Sequence, residues 1–130
     1  MSIEENKALI KRYIDAINGK AKTEAVLNEY VADESLRRFI TTFDAAFPRY
    51  ELTVEDLVAE GDRVVARLMI RGTHRGEFRG AAPTGREVTF PAIIIYRIEG
   101  GKIAKHWLVS DTLSVAQQVG VVPTPSGAAR

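Results

Sequence analysis

The chain has no cysteine, which excludes disulfides, thiolate metal sites and cysteine nucleophiles together. Histidine is scarce as well. His74 and His106 are the only two in 130 residues, too few for an imidazole-rich metal site. Neither sign of charge dominates: 18 basic and 17 acidic residues leave a net charge of +1. These charges are interspersed, so no basic run points to nucleic acid and no acidic block to a disordered tail. Long hydrophobic runs are missing too. The longest passes through Pro91-Ala-Ile-Ile-Ile-Tyr96, whereas a membrane helix needs about 20 apolar residues. The first residues, Met1-Ser-Ile-Glu-Glu5, are polar and acidic, unlike the basic start and apolar core of a secretory signal. The expectation is a cytoplasmic protein with no membrane or nucleic-acid partner. Its single domain spans 1–120, followed by a loosely held Pro-, Gly- and Ala-containing tail over 121–130.

What is present begins with helical periodicity. Ser2 and Glu5 have capping-box spacing, and Leu9, Ile10, Tyr13, Ile14 and Ile17 then form one apolar stripe that ends at Asn18-Gly19. Thr23 caps a short second helix through Val26, Leu27 and Tyr30. Asp33 caps a third through Leu36, Phe39, Ile40, Phe43 and Phe47, which Pro48 stops.

After Pro48 the period changes to two. Residues 50–59 read as a strand with an irregularity near Glu55-Asp56, and Glu60-Gly61-Asp62 is a hairpin turn. From Val64 the even positions are apolar while the odd ones carry Arg67 and Arg71, so alternation sends His74 inward. Residues 75–87, with Gly76, Gly80, Pro83 and Gly85, read as a loop across or beside a pocket mouth. Residues 88–98 form the strongest strand, apolar on both faces. Its Pro91 calls for a bulge or an unpaired position. One face can take the helices. The other has no cover left in this chain, which leads to an expected homodimer through the outer sheet face.

The last strand is Gly101-Lys-Ile-Ala-Lys-His-Trp-Leu-Val-Ser-Asp111. Unbroken alternation puts Trp107 and Asp111 on the inner face and His106 on the outer one, as a sheet-face or interface histidine. Asp111 then reads in two ways: a lone acid/base at the end of an apolar strand, or the cap of a short helix over Thr112–Gln118. Helices followed by antiparallel strands give segregated α+β, with the N-terminal helices packed in a strongly curved, mainly antiparallel sheet. Such a cone has one open end. The residues that alternation sends inward are His74, Phe90, Tyr96, Trp107 and Asp111, joined by Tyr13 from the first helix. They describe a pocket for a small hydrophobic or aromatic ligand.

Several segments taken in order carry a resemblance: Ala46-Phe-Pro48, Val58-Ala-Glu-Gly-Asp-Arg-Val-Val65, Gly72-Thr-His-Arg-Gly76, Pro83-Thr-Gly85, Tyr96-Arg97, Gly101-Lys-Ile103 and His106-Trp107 with Asp111. Together they resemble the SnoaL-like polyketide (ester) cyclases of the NTF2-like superfamily. The resemblance implies cofactor-independent acid/base proton transfer leading to intramolecular aldol-type ring closure, with no metal. It makes Asp111 the acid/base and places His74 near it; Tyr13, Phe90, Tyr96 and Trp107 would contact substrate. Arg38-Phe39 departs from the resemblance, since relatives often carry a polar residue, commonly His, there. The same fold hosts steroid isomerases, epoxide hydrolases and non-catalytic proteins, so a binding module for a small hydrophobic ligand is the alternative.

Overall fold

The structure is a computed structural model, and it describes residues 2–121. The expected tail over 121–130 therefore lies, from residue 122 onward, outside the described residues.

Helix α1 (Ile3–Ile17) starts at a complete capping box. The Ser2 hydroxyl accepts from the Glu5 N–H at 3.0 Å, and the Glu5 carboxylate accepts from the Ser2 N–H at 2.8 Å. Its apolar stripe is buried from Leu9 to Ile17. At its end the Asn18 side chain accepts from the Leu52 N–H at 2.8 Å, fastening α1 to the first strand. Helix α2 (Glu24–Tyr30) is capped by Thr23, and α3 (Glu34–Ala46) by Asp33.

Four strands follow as an antiparallel meander: β1 (Glu51–Glu60), β2 (Arg63–Thr73), β3 (Glu87–Glu99) and β4 (Lys102–Ser110), in spatial order β1-β2-β3-β4. Glu55 is bulged out between the pairs Val54↔Leu68 and Asp56↔Arg67, where the sequence shows its irregularity. The β2–β3 ladder runs unbroken from Arg63↔Arg97 to Thr73↔Glu87. Pro91 consequently sits in regular strand opposite Met69, one residue past the last β3–β4 pair, Ala92↔Ser110. Its missing N–H falls where that ladder has ended, which is how a proline survives inside the sheet.

The inner sheet face packs on the helices through Val64, Ala66, Leu68 and Ile70 of β2 and through Val88, Phe90, Ile94, Tyr96 and Ile98 of β3. In β4 a second bulge corrects the sequence reading. Ile98 pairs with Ile103 but Arg97 pairs with Lys105, so Ala104 is the extra residue. One extra residue inverts every later side chain. His106, Leu108 and Ser110 turn toward the helix side, while Trp107 and Val109 turn out.

Helix α4 (Thr112–Gln118) lies against β3 beyond the end of β4. The Gln118 amide replaces the missing neighbour strand: it accepts from the Thr89 N–H at 3.0 Å and donates to the Thr89 carbonyl at 2.9 Å. On the outer face Val58, Val65, Ile95 and Trp107 are consecutive cross-strand partners and form one apolar row. Among the described residues no helix is long and apolar enough to cross a membrane.

Candidate active site

A cavity of about 440 Å³ opens between α3, the β2–β3 connection, Phe90 of β3 and the β4–α4 junction. Its walls are aromatic. Phe39 and Phe43 of α3, four residues apart, stack at 5.8 Å, and Phe90 meets Phe43 edge-on at 5.6 Å; Phe78 from the connection adds a fourth ring. The polar lining consists of the hydroxyls of Ser35, Thr42, Ser110 and Thr112 and three charged groups, Arg38, Glu77 and Arg79.

The connection that carries Glu77, Phe78 and Arg79 is fastened at its base. Arg75 and Gly76 donate their N–H groups to the Ala46 carbonyl at 3.0 and 3.1 Å, satisfying the C-terminus of α3. At Gly76 a Cβ would lie 2.1 Å from the Ala45 carbonyl oxygen, so only glycine allows this approach. His74 holds the other side. Its N–H donates to the Arg86 carbonyl and its carbonyl accepts from the Gly85 N–H, both at 2.8 Å. Its Nδ1 accepts from the Thr84 N–H at 3.2 Å and lies 2.9 Å from the Thr84 hydroxyl. An amide proton donated to Nδ1 assigns the neutral ring's own proton to Nε2. That Nε2 is buried without a partner among the described residues, on a ring stacked at 5.5 Å on Phe47.

His74 is therefore inward and fully buried, but it lies behind Phe78 rather than on the cavity surface. Asp111 is the N-cap of α4, its Oδ1 accepting from the Ser114 N–H at 2.9 Å. The residues on either side of it, Ser110 and Thr112, line the cavity. Its own carboxylate is exposed and borders a shallow groove with Pro91, Ile93 and Val109. The two polar residues that alternation sent inward are thus not brought to one surface.

Of the four expected contact residues, Phe90 lines the cavity. Tyr13 and Tyr96 are core residues, edge to face at 5.8 Å. Burial pushes both phenols up from their ordinary range, that of Tyr13 with help from Tyr96 and Tyr50, so both stay protonated. The placement of Trp107 in the pocket is corrected: the Ala104 bulge turns it outward, where it is 38% exposed. There Arg63 lies 4.9 Å and Lys105 5.1 Å from its ring.

The same inversion corrects His106, expected on the outer face. It turns to α3, with Nδ1 2.8 Å from Asp33 Oδ2. Asp33 Oδ1 accepts from the Ser35 N–H at 2.9 Å, the Ser35 hydroxyl at 2.7 Å and the Leu36 N–H at 3.3 Å. Burial works against the Asp33 charge, but the hydrogen bonds from His106, Ser35 and Leu36 outweigh it and hold the carboxyl at about 2. Ser35 carries this network to the cavity wall. Phe39 and Phe43 were visible in the sequence as a helical stripe, but their period does not tell a core from a cavity wall. No group of three or more His, Cys, Asp or Glu residues able to hold a metal occurs among the described residues.

Comparison with known proteins matches the model of the SnoaL-like polyketide cyclases to residues 8–119. Aklanonic acid methyl ester cyclase DauD of Streptomyces sp. (strain C5) is 31% identical, the match covering 92% of this chain and 84% of that protein. AclR of Streptomyces galilaeus superposes with a TM-score of 0.83 at 27% identity, over 95% of this chain and 86% of that one. TsrD of Streptomyces laurentii superposes with a TM-score of 0.76 at 29% identity, over 94% and 99% of the two chains.

Proposed function

The chain belongs to the SnoaL-like polyketide cyclase family, and from that premise we propose that it closes a ring by cofactor-independent proton transfer within the aromatic cavity. Asp111, its free oxygen turned from the outer groove to the cavity rim between Ser110 and Thr112, removes an acidic C–H proton beside a carbonyl, and the enolate attacks a second carbonyl of the same molecule in an aldol-type step. The proton returns to the alkoxide so formed, and the hydroxyls of Ser110 and Thr112 hydrogen-bond the developing oxyanion. His74 acts as a positioning residue through the loop that it fastens.

The observation that carries this reading is the junction of β4 and α4. Two cavity-lining hydroxyls flank Asp111, whose Oδ2 takes no hydrogen bond from the described residues. Deuterium exchange from D2O into 2-tetralone, a flat bicyclic ketone, tests it. Asp111→Asn should slow catalysed exchange by ~10²-fold or more. Because asparagine also caps helices, the melting temperature should hardly change. A variant that melts lower yet exchanges at the wild-type rate would remove Asp111 from the chemistry.

A second reading has its own observation. Asp111 spends one oxygen on the α4 cap and faces the outer groove, as it would in a non-catalytic binder of small hydrophobic ligands. Such a protein binds 2-tetralone without accelerating its exchange.

The apolar row Val58, Val65, Ile95 and Trp107, with Ile93 47% and Val109 74% exposed beside it, supports a homodimer through the outer sheet face.

A further inference from the structure

We infer that Ser35 sets the polarity of recognition in the cavity: its oxygen is offered to the ligand only as a hydrogen-bond acceptor, so the substrate that fits carries a phenolic or enolic O–H toward the N-terminus of α3. The inference rests on the cavity being the substrate site and adds a specificity-determining residue to it. Four phenylalanine rings suit a planar conjugated body, whose faces and edges meet theirs without polar demands. They do not say which polar group that body carries, or at which end. The hydroxyls of the lining decide this, and Ser35 differs from the other three.

A serine hydroxyl has one proton and two lone pairs. At Ser35 the proton is committed: its Oγ lies 2.7 Å from Asp33 Oδ1, and an ionised carboxylate can only accept. Asp33 is ionised throughout the neutral range, since its carboxyl is held at about 2. Its side chain is only 10% exposed and is fixed from several directions. Oδ1 also accepts from the Ser35 and Leu36 N–H groups, while Oδ2 meets His106 Nδ1 at 2.8 Å. The imidazole thus bonds the far oxygen of Asp33 rather than Ser35, so the serine has no general base beside it and is not a nucleophile. What it presents on the cavity wall is a lone-pair oxygen, polarised by its hydrogen bond to an anion. The hydroxyls of Thr42, Ser110 and Thr112 make no hydrogen bond with the described residues and can turn to donate or to accept. The strand sets the ligand's direction. His106 and Ser110 share one face of β4, four residues or roughly 13 Å apart. Ser35 is tied to the His106 end through Asp33, and Ser110 with Thr112 stands farther along. A flat polycyclic ligand therefore donates its O–H at the Ser35 end and presents its carbonyl at the other.

The probes are 2-tetralone, its derivatives with a hydroxyl at each aromatic carbon in turn, and their methyl ethers, with binding read by calorimetry on the full chain. The best hydroxyl isomer should bind about 5-fold more tightly than its ether, the scale of one net hydrogen bond. Ser35→Ala should lose about 5-fold for that isomer and leave its ether and 2-tetralone unchanged. Ser35→Thr, which keeps the oxygen, should retain the preference. If Ser35→Ala weakens the ether as much as the hydroxyl compound, the serine donates to its ligand and the assigned polarity is overturned. Equal affinity of every isomer and its ether, or a preference that Ser35→Ala keeps, overturns the inference while the cavity remains a binding site. Failure of 2-tetralone and all its derivatives to bind overturns the inference together with the reading of the cavity. If Asp111→Asn keeps the hydroxyl preference but exchanges 2-tetralone normally, the inference stands and the catalytic proposal falls.

Discussion

Gly76→Ala concentrates the loop anchor into one methyl group. The added carbon would lie 2.1 Å from the Ala45 oxygen, 3.0 Å from the Ala45 carbonyl carbon and 3.2 Å from the Ala46 Cα. All three neighbours are backbone, so no side chain can swing aside. The peptide planes must separate by about 1 Å, which takes Arg75 and Gly76 away from the Ala46 carbonyl that both now share. Losing these two bonds costs about 2 kcal/mol at the usual net value, and the residual overpacking adds about 1–3 kcal/mol. A loss of roughly 3–5 kcal/mol in a chain of this size lowers the melting temperature by roughly 10–20 °C. The tip moves with its base, so affinity for 2-tetralone should fall as well. Gly80→Ala is the control. Nothing lies within 4 Å of its Cβ, but its φ is +84°, so it suffers only the left-handed penalty of about 1 kcal/mol. Thermal denaturation followed by circular dichroism, with calorimetric binding, reads both variants. If Gly76→Ala melts within about 2 °C of wild type and binds 2-tetralone normally, the anchor does not hold the loop.

Two further outcomes follow from other parts of the fold. The Asp33 carboxyl is held at about 2 against an ordinary 3.8; its stabilisation is complete above about pH 4 and disappears as the pH falls toward 2. Asp33→Asn, which keeps a capping side chain, should therefore be about 1–2 kcal/mol less stable than wild type at pH 6, after allowance for solvent screening, and nearly equal to it at pH 2; a constant difference across that range would mean that the His106 contact contributes nothing through charge. On the outer face, light scattering should give a dimer at micromolar concentration, and Ile93→Lys, which places a cation opposite Val109 and beside Arg67, should give monomer; a wild-type monomer ends the dimer proposal.

The elements were legible because each announces itself locally. Capping residues stand at Ser2, Thr23, Asp33 and Asp111, and each is found bonding its helix. The β2 and β3 faces follow strict alternation because their shared ladder holds eleven pairs without a slip. His74 could be sent inward for the same reason, since no bulge interrupts β2 before it. Its role could not be read that way. Alternation names a face, whereas the ring's neighbours, Thr84 and Phe47, lie 10 and 27 residues away along the chain.

The site resisted reading at one residue in particular. Ala104 carries no mark of a bulge: it is neither glycine nor proline, and Ile103 and Trp107 both look like inward positions of one continuous face. The ladder shows why both cannot be. Ile103 is fully buried opposite Ile98 and must stay there, while His106 can reach Asp33 only if the parity changes between them. An extra residue at Ala104 satisfies both. It takes the single tryptophan out of the pocket, puts Ser110 on the cavity wall and leaves Asp111 at the turn into α4. The chemistry proposed for Asp111 therefore depends on a register shift seven residues upstream, and the cavity's rings and charges come largely from a helix and a loop, where a period of two has nothing to say.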